Sequence, residues 1–483
     1  MRPALDDGRR TWSAVALADA VAGASAGLRD AGAQVLATCL DNSAAFVALD
    51  EAALGAGVVH VPLPLFFMPA QMQHALQAAG ADTLVVAAAL AARWPALSWK
   101  PLAVAGEALM HARLPLPAAG RVALPPGTAK ITYTSGTTGS PKGVCLSAGA
   151  LQRVAAGLVE AMAPLDIQRH LNALPFAVLL ENIAGLMAPR LHGTTVITLP
   201  LHEVGLVGSS SFDAARLQAA VQRHRPHSLI VLPQMLRAWC EHLVLTGQRA
   251  PDSLKLVAVG GAAVGAPLIH TAQALGIPAG EGYGLSEGAS VQTLNLPGID
   301  GAARPGSAGR VLPHARLRVA ADGELEVAGS LFSGYLGEAT PLPRWWPTGD
   351  LGRIDDDGFV HVLGRKKNVL ITSFGRNVSA EWVETALRTD PAVAHAVVYG
   401  DGQPALCAVL WPQQSATGDA ALQAAVDAAN ATLPDYARIA RWTRGRAAFD
   451  AGSGLATANG RPQRNAIWLA HADALDNALV PTA

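Results

Sequence analysis

Residues 130–143 read KITYTSGTTGSPKG, and this segment constrains the chain more than any other. A short β-branched run from Lys130 leads into a loop of Thr134, Ser135, Gly136, Thr137, Thr138, Gly139 and Ser140, and Lys142 follows. Glycines let backbone N–H groups converge on an anion, and the hydroxyls add donors. Lys142 can then meet phosphate charge. The pattern is not a Walker A loop, which puts Gly directly before the lysine and Ser or Thr directly after it. Here those positions are Pro141 and Gly143.

The surroundings of this loop alternate between helical and strand patterns. The spacing of Leu17, Val21 and Leu28 predicts a helix over 12–31, with Gly32 as its stop. A second helical stretch follows Asn42, and a third is expected over 68–79. Short buried strands are expected at 34–39, 58–62, 83–87, 194–199, 228–232 and 256–260. Strands separated by helices argue for parallel sheets and an α/β fold. After about residue 300 Gly, Pro and Asp rise, and strand-like pieces at 315–319, 324–327 and 359–363 point to antiparallel structure. A small α+β unit fits residues 368–483, with a helix at 380–388, strands at 393–399 and 405–410, and turn chemistry at Asp401 and Gly402. Residues 451–460, rich in small side chains, read as a loop.

Composition narrows the class. A chain of 483 residues is too long for one core. Its 36 basic and 37 acidic residues nearly cancel, which disfavours nucleic acid or a polybasic membrane contact. The best apolar run, Leu84 to Ala92, stops at Arg93 and falls short of the roughly 18 residues needed to cross a bilayer. The opening MRPALDDGRR has no apolar core behind its charges, so no signal peptide is expected. Cys39, Cys145, Cys240 and Cys407 are too scattered for a metal site or a disulfide framework and predict reduced thiols in a cytoplasmic protein. An enzyme is the expectation, and monomer and homodimer both fit. The preference for Ala and for Arg over Lys is compatible with a bacterial, GC-rich source.

The ordered motifs resemble those of the adenylate-forming superfamily, which includes acyl-CoA synthetases, luciferases and the adenylation domains of peptide synthetases. The loop of residues 134–142 matches its phosphate signature. Gly260, Gly261 and Ala262 resemble the turn beside adenine. The segment EGYGLSEG, 281–288, resembles its Tyr-Gly-x-Thr-Glu motif, with Ser286 in place of Thr. Thr348-Gly349-Asp350 and Gly364-Arg365 resemble the ribose-binding pair.

The resemblance implies a large ATP- and acyl-binding domain over 1–364, built of parallel-sheet α/β subdomains and a β-rich one. A hinge at 365–367 and a small mobile α+β domain over 368–483 would follow. It also implies that ATP and a carboxylic acid form an acyl adenylate with pyrophosphate release. Two anions must meet, so cationic help is required. Glu287 would hold Mg2+, which bridges phosphate oxygens. Ser286 would donate to the α-phosphate. Tyr283, followed by Gly284, offers a flat face to adenine. Asp350 can accept from both ribose hydroxyls, and Arg365 can contact ribose or phosphate through its planar fork.

Residues 364–382 and 174–182 are similar to segments of bacterial long-chain acyl-CoA synthetases, which implies CoA as the acceptor. Lys367 falls at the family's hinge position, where the backbone absorbs a rotation between two half-reactions. Gly375 falls in the loop that would line the pantetheine tunnel. An apolar acyl pocket is expected around Phe176, Val178 and Leu179. Ala177 stands where α-amino-acid enzymes of the superfamily often carry an Asp, so an ammonium would lack a partner there. Glu181 reads as structural.

Two departures stand out. Val178 replaces a common His. Arg461 replaces the lysine of the family's Gly-Lys-x-x-Arg motif, and with six lysines in the chain and none beyond Lys367, no neighbour can substitute. Arg461 is therefore expected to bridge carboxylate and phosphate in that lysine's place. Acyl transfer to a carrier-protein thiol or to an amine is the alternative to CoA. A non-catalytic nucleotide-binding homologue is disfavoured by the intact loop and Glu287.

Overall fold

The alternating patterns close into two sheets with helices between and outside them. The computed structural model describes residues 2–115, 122–134, 142–208, 211–338, 341–373, 376–457 and 460–476. A nine-stranded sheet runs Arg310–Val311, Ser290–Leu294, Ala279–Leu285, Leu256–Val259, Ser228–Val231, Arg169–Leu171, Thr195–Ile197, Leu5–Asp6, Thr11–Trp12. Its six strands from Ala279–Leu285 across to Leu5–Asp6 are mutually parallel. An eight-stranded sheet runs Gly334–Tyr335, Lys142–Ser147, Thr128–Thr134, Val59–Pro62, Val35–Cys39, Thr83–Ala87, Glu107–Arg113, Lys100–Val104. Central parallel strands are covered on both faces, which is why Ser228–Val231 and Val35–Cys39 are buried at every position.

Helices Ala14–Asp30 and Ala44–Ala56 fill one side of the space between the sheets, packing Leu17, Phe46 and Leu49 between Val85 and Val196. Helix Ala148–Met162 and a π-helical stretch, Glu181–Met187, fill the other side against Leu146 and Leu256. Helix Pro69–Ala78 covers the outer face of the eight-stranded sheet. Helices Ala214–His224, Pro233–Thr246 and Ala266–Ala274 cover that of the nine-stranded one. Ser13, Ser43, Ser147 and Asp213 each cap a helix by accepting from its first-turn N–H groups.

The antiparallel region is a four-stranded sheet, Ala315–Val319, Glu324–Gly329, Trp346–Ile354, Val360–Arg365. Beyond it the strands Val393–Tyr399, Leu406–Pro412 and Ile439–Arg444 form a separate sheet with its own core, packed by helices Ala380–Leu387 and Asp419–Thr432.

Two local differences from the sequence reading have clear causes. The first helix begins at Ala14 because Ser13 caps it, and Trp12 instead pairs with Leu5 as a strand. The hairpin Lys100–Val104 and Glu107–Arg113 turns at Ala105 and Gly106, with φ of 51° and 80°. Such a turn favours Asn-Gly, and alanine in the left-handed position hides it. The four cysteines are buried and none is in a disulfide, and no helix among the described residues is long and apolar enough to cross a membrane.

Candidate active site

The C-terminal ends of the parallel strands face a single continuous cleft of about 3240 Å3, bounded also by the four-stranded sheet and the small C-terminal unit. Ligands in open α/β sheets bind at such strand ends. The turns after Leu256–Val259 and within Ala279–Leu285 bring the site residues together. Gly261 takes φ +86°, and a Cβ on Gly260 would lie 3.6 Å from the Leu180 side chain.

Tyr283 donates its hydroxyl to Asp350 Oδ2 at 2.7 Å, while Arg365 Nε lies 2.8 Å from Asp350 Oδ1. Asp350 is buried. Burial pushes its carboxyl up, and the Arg365 guanidinium and the Tyr283 hydroxyl pull the other way. Arg365 also donates to the Thr348 carbonyl at 3.2 Å. The expected ribose pair and the adenine-facing tyrosine therefore form one hydrogen-bonded unit. A Cβ on Gly284 would strike the Ser290 carbonyl at 2.2 Å, so glycine there lets the two strands touch.

Glu287 follows Ser286 in a short 3-10 turn, and both line the cleft. Glu287 Oε1 accepts from the Tyr335 hydroxyl at 2.7 Å. Lys142 Nζ lies 4.7 Å from the centre of the Tyr335 ring and 3.6 Å from Glu338 Oε1. Both partners of that last pair are half exposed, so it contributes little and leaves Lys142 available. Among the described residues no group of three His, Cys, Asp or Glu could hold a metal alone. One carboxylate fixed by a tyrosine suits a Mg2+ ion that keeps water and phosphate ligands.

Arg461 reaches across from the C-terminal unit. Its guanidinium donates to the Gly261 carbonyl at 3.0 Å. Its surroundings and the nearby Arg365 lower its pKa, and Asp350 and Glu287 oppose them, so both anionic members of the site act on it. Lys367 lines the cleft in the 3-10 turn Lys366–Asn368 that follows the four-stranded sheet.

Val178 and Leu179 line the cleft. Phe176 does not. It is 1% exposed and packs against Phe46 with ring centroids 5.2 Å apart, which corrects its assignment to the acyl pocket. Glu181 is fully buried and accepts from Asn172 at 2.7 Å, as a structural acid would. Ser135, Gly136, Thr137, Thr138, Gly139 and Gly375 lie outside the described residues; Thr134 ends its strand, paired with Lys142.

The sequence reading missed Tyr335, which the pairing of Gly334–Tyr335 with Lys142–Ser147 delivers to Glu287. Two residues without periodicity carry no local signal. It also missed Glu281, whose carboxyl burial pushes up to about 7 although it accepts from the Val264 N–H.

The family model described as AMP-binding enzyme matches residues 1–336, and that of the AMP-binding enzyme C-terminal domain matches 367–479. A long-chain-fatty-acid–CoA ligase of Mycobacterium tuberculosis is 31% identical over 332 residues, 58% of this chain and 54% of its own. A 2-succinylbenzoate–CoA ligase of Bacillus subtilis is 31% identical over 291 residues, 56% of each chain. The chain thus spans about half the length of these curated relatives. Among solved structures, the o-succinylbenzoate CoA synthetase of Bacillus subtilis with ATP and magnesium superposes with a TM-score of 0.74 at 23% identity, covering 96% of both chains. An amide bond synthetase from Marinactinospora thermotolerans gives 0.76 at 23% identity, again covering 96% of both. These superpositions establish a shared fold.

Proposed function

The chain belongs to the AMP-binding, adenylate-forming enzyme family, and from that premise we propose that it is an ATP- and Mg2+-dependent acid–thiol ligase acting on an apolar carboxylic acid and CoA. A carboxylate oxygen attacks the α-phosphorus of ATP, the bond to the β-phosphate breaks, and pyrophosphate leaves. The acyl adenylate then meets a thiol, whose sulfur bonds to the acyl carbon as AMP departs and the thiol proton passes to solvent.

The observation that carries this reading is the convergence of Arg461 with Tyr283, Asp350, Arg365 and Glu287 in one cleft. Asp350 and Arg365 orient the ribose, and Tyr283 packs on adenine. Glu287, with Oε1 held by Tyr335, leaves its other oxygen to Mg2+, which offsets phosphate charge when bound. Lys142 faces the β- and γ-phosphates. Arg461 bridges the incoming carboxylate and the α-phosphate through two faces of its fork, the task a lysine performs in relatives. The side chains of Leu158, Met162, Ala184, Ile230, Ala258 and Leu294 line the cleft and support an apolar acyl group. Lys367 is the hinge about which the C-terminal unit turns to admit CoA.

Products formed with MgATP, a panel of carboxylic acids, and CoA are to be read by mass spectrometry. Acyl-CoA with AMP is expected for apolar acids. Acyl-AMP that accumulates until an amine or a carrier-protein thiol is supplied would replace CoA as the acceptor, and absence of AMP with every acid would end the proposal. Arg461→Ala should slow acid-dependent pyrophosphate release by about 100-fold, as loss of one aimed charge-stabilising donor does. An unchanged rate would remove Arg461 from the mechanism.

A further inference from the structure

The strand that feeds the phosphate loop carries a lysine where a buried apolar side chain would be ordinary. Lys130 is 3% exposed. Its ammonium lies 2.8 Å and 3.0 Å from the two oxygens of Asp50, which is 5% exposed. The ammonium also donates to Asn182 Oδ1, and Asn182 Nδ2 donates to Asp50 Oδ2 at 3.3 Å. Asp50 Oδ1 also accepts from His60 Nδ1 at 2.6 Å, and His60 Nε2 accepts from the Thr38 hydroxyl at 2.8 Å. Burial holds His60 below its ordinary pKa, hence neutral, while Lys130 and the surrounding donors keep Asp50 ionised. The pair is charge-balanced, and the Lys130 ammonium donates to both Asp50 and Asn182.

A buried ion pair is a poor way to stabilise a fold, because well-packed apolar residues do as well or better. Its use is geometric. Lys130 belongs to the strand Thr128–Thr134 that enters the phosphate loop, Asp50 to helix Ala44–Ala56, and Asn182 to the π-helical stretch Glu181–Met187. That stretch turns Ala184, with Leu180 just before it, toward the cleft, and Leu180 lies beside Gly260 at the adenine turn. Its other side is gripped by Asn172, which donates to Glu181 at 2.7 Å and to the Gly185 carbonyl at 2.8 Å. π-helical turns recur at functional sites.

We infer that Lys130, through Asp50 and Asn182, is a positioning residue for adenylation: it fixes the acyl-pocket π-helix at one height against the phosphate-loop strand, so that the acid's carboxylate meets the α-phosphate. This rests on the acid-activating reading above. A misplacement of about 1 Å can cost about 100-fold in rate.

The decisive variant is Asn182→Ala, which leaves the Lys130–Asp50 pair and removes only the tether to the π-helix. With an acid that the wild type adenylates, we expect its KM to rise at least about tenfold and MgATP affinity to stay within about threefold. Amide exchange should quicken at residues 181–187 and stay unchanged in helix Ala14–Asp30. The second variant, Lys130→Met with Asp50→Asn, removes both charges while keeping an acceptor for His60. It should melt near the wild-type temperature yet lose adenylation by about 100-fold. Transfer of the acyl group from supplied acyl-AMP to CoA should stay near wild type in both. Wild-type KM and exchange in Asn182→Ala would overturn the inference while leaving the proposed function intact, as would full adenylation by the folded double variant. A wild type that adenylates no acid would instead end the proposed function, and the amide-exchange arm would still test the tether.

Discussion

At the scale of single residues, the site is held by hydrogen bonds whose partners lie far apart in sequence. Tyr335 fixes Glu287 Oε1 at 2.7 Å, so Tyr335→Phe should leave the carboxylate free to rotate and raise the Mg2+ concentration for half-maximal activity several-fold, measured by pyrophosphate release against total Mg2+. Glu281 gives a pH prediction. Burial raises its folded pKa from 4.5 to about 7, so its contribution is fully present below pH 4.5 and is lost as pH rises through about 7. Thermal stability should therefore decline across that window, and Glu281→Gln should flatten the decline; an unchanged slope in the variant would show that Glu281 does not titrate there. Most cleft residues outside the loop were legible because each stood inside an ordered motif: Ser286 and Glu287 behind Tyr283, Asp350 behind Gly349, Arg461 behind Gly460. Phe176 was misplaced for a physical reason. An apolar side chain in an apolar segment can face either a pocket or a core, and Phe46 claims it for the core.

At the scale of elements, backbone proximity matters as much as side chains. The strands Ala279–Leu285 and Ser290–Leu294 shift register between Tyr283 and Gly284, where a Cβ would meet backbone at 2.2 Å. Gly284→Ala should cost about 1–3 kcal/mol of stability by chemical denaturation, with a rise in the KM for ATP because Tyr283 moves with the bulge. Stability and KM both at wild-type values would mean that the strands separate freely here. Strand positions were legible from short apolar runs, since parallel strands buried on both faces leave that signature. The π-helical stretch was not, because it is held by bonds to distant partners, from Asn172 to Glu181 and Gly185 and between its own Asn182 and Lys130 and Asp50, which no local pattern encodes.

At the scale of the whole molecule, the C-terminal unit presents Arg461 to the Gly261 carbonyl across the cleft, and Lys367 lines the same cleft. Lys367→Pro, which locks φ near −65°, should spare adenylation within a few-fold but strongly slow acyl transfer to CoA. Equal loss of both half-reactions would argue against a hinge at this residue. The order of units along the chain, α/β first, antiparallel next, α+β last, was readable from changing periodicity. The stacking of two sheets around shared helices was not, because the core that Leu17 and Leu28 of helix Ala14–Asp30 join also takes in Val85 and Val196, which come from different sheets. The most direct measurement of the central claim follows an oxygen atom. A carboxylic acid labelled with 18O in both carboxyl oxygens, incubated with the enzyme, MgATP and CoA, should place one label in AMP and none in pyrophosphate. Release of ADP, or AMP free of label, would contradict attack of the acid on the α-phosphorus.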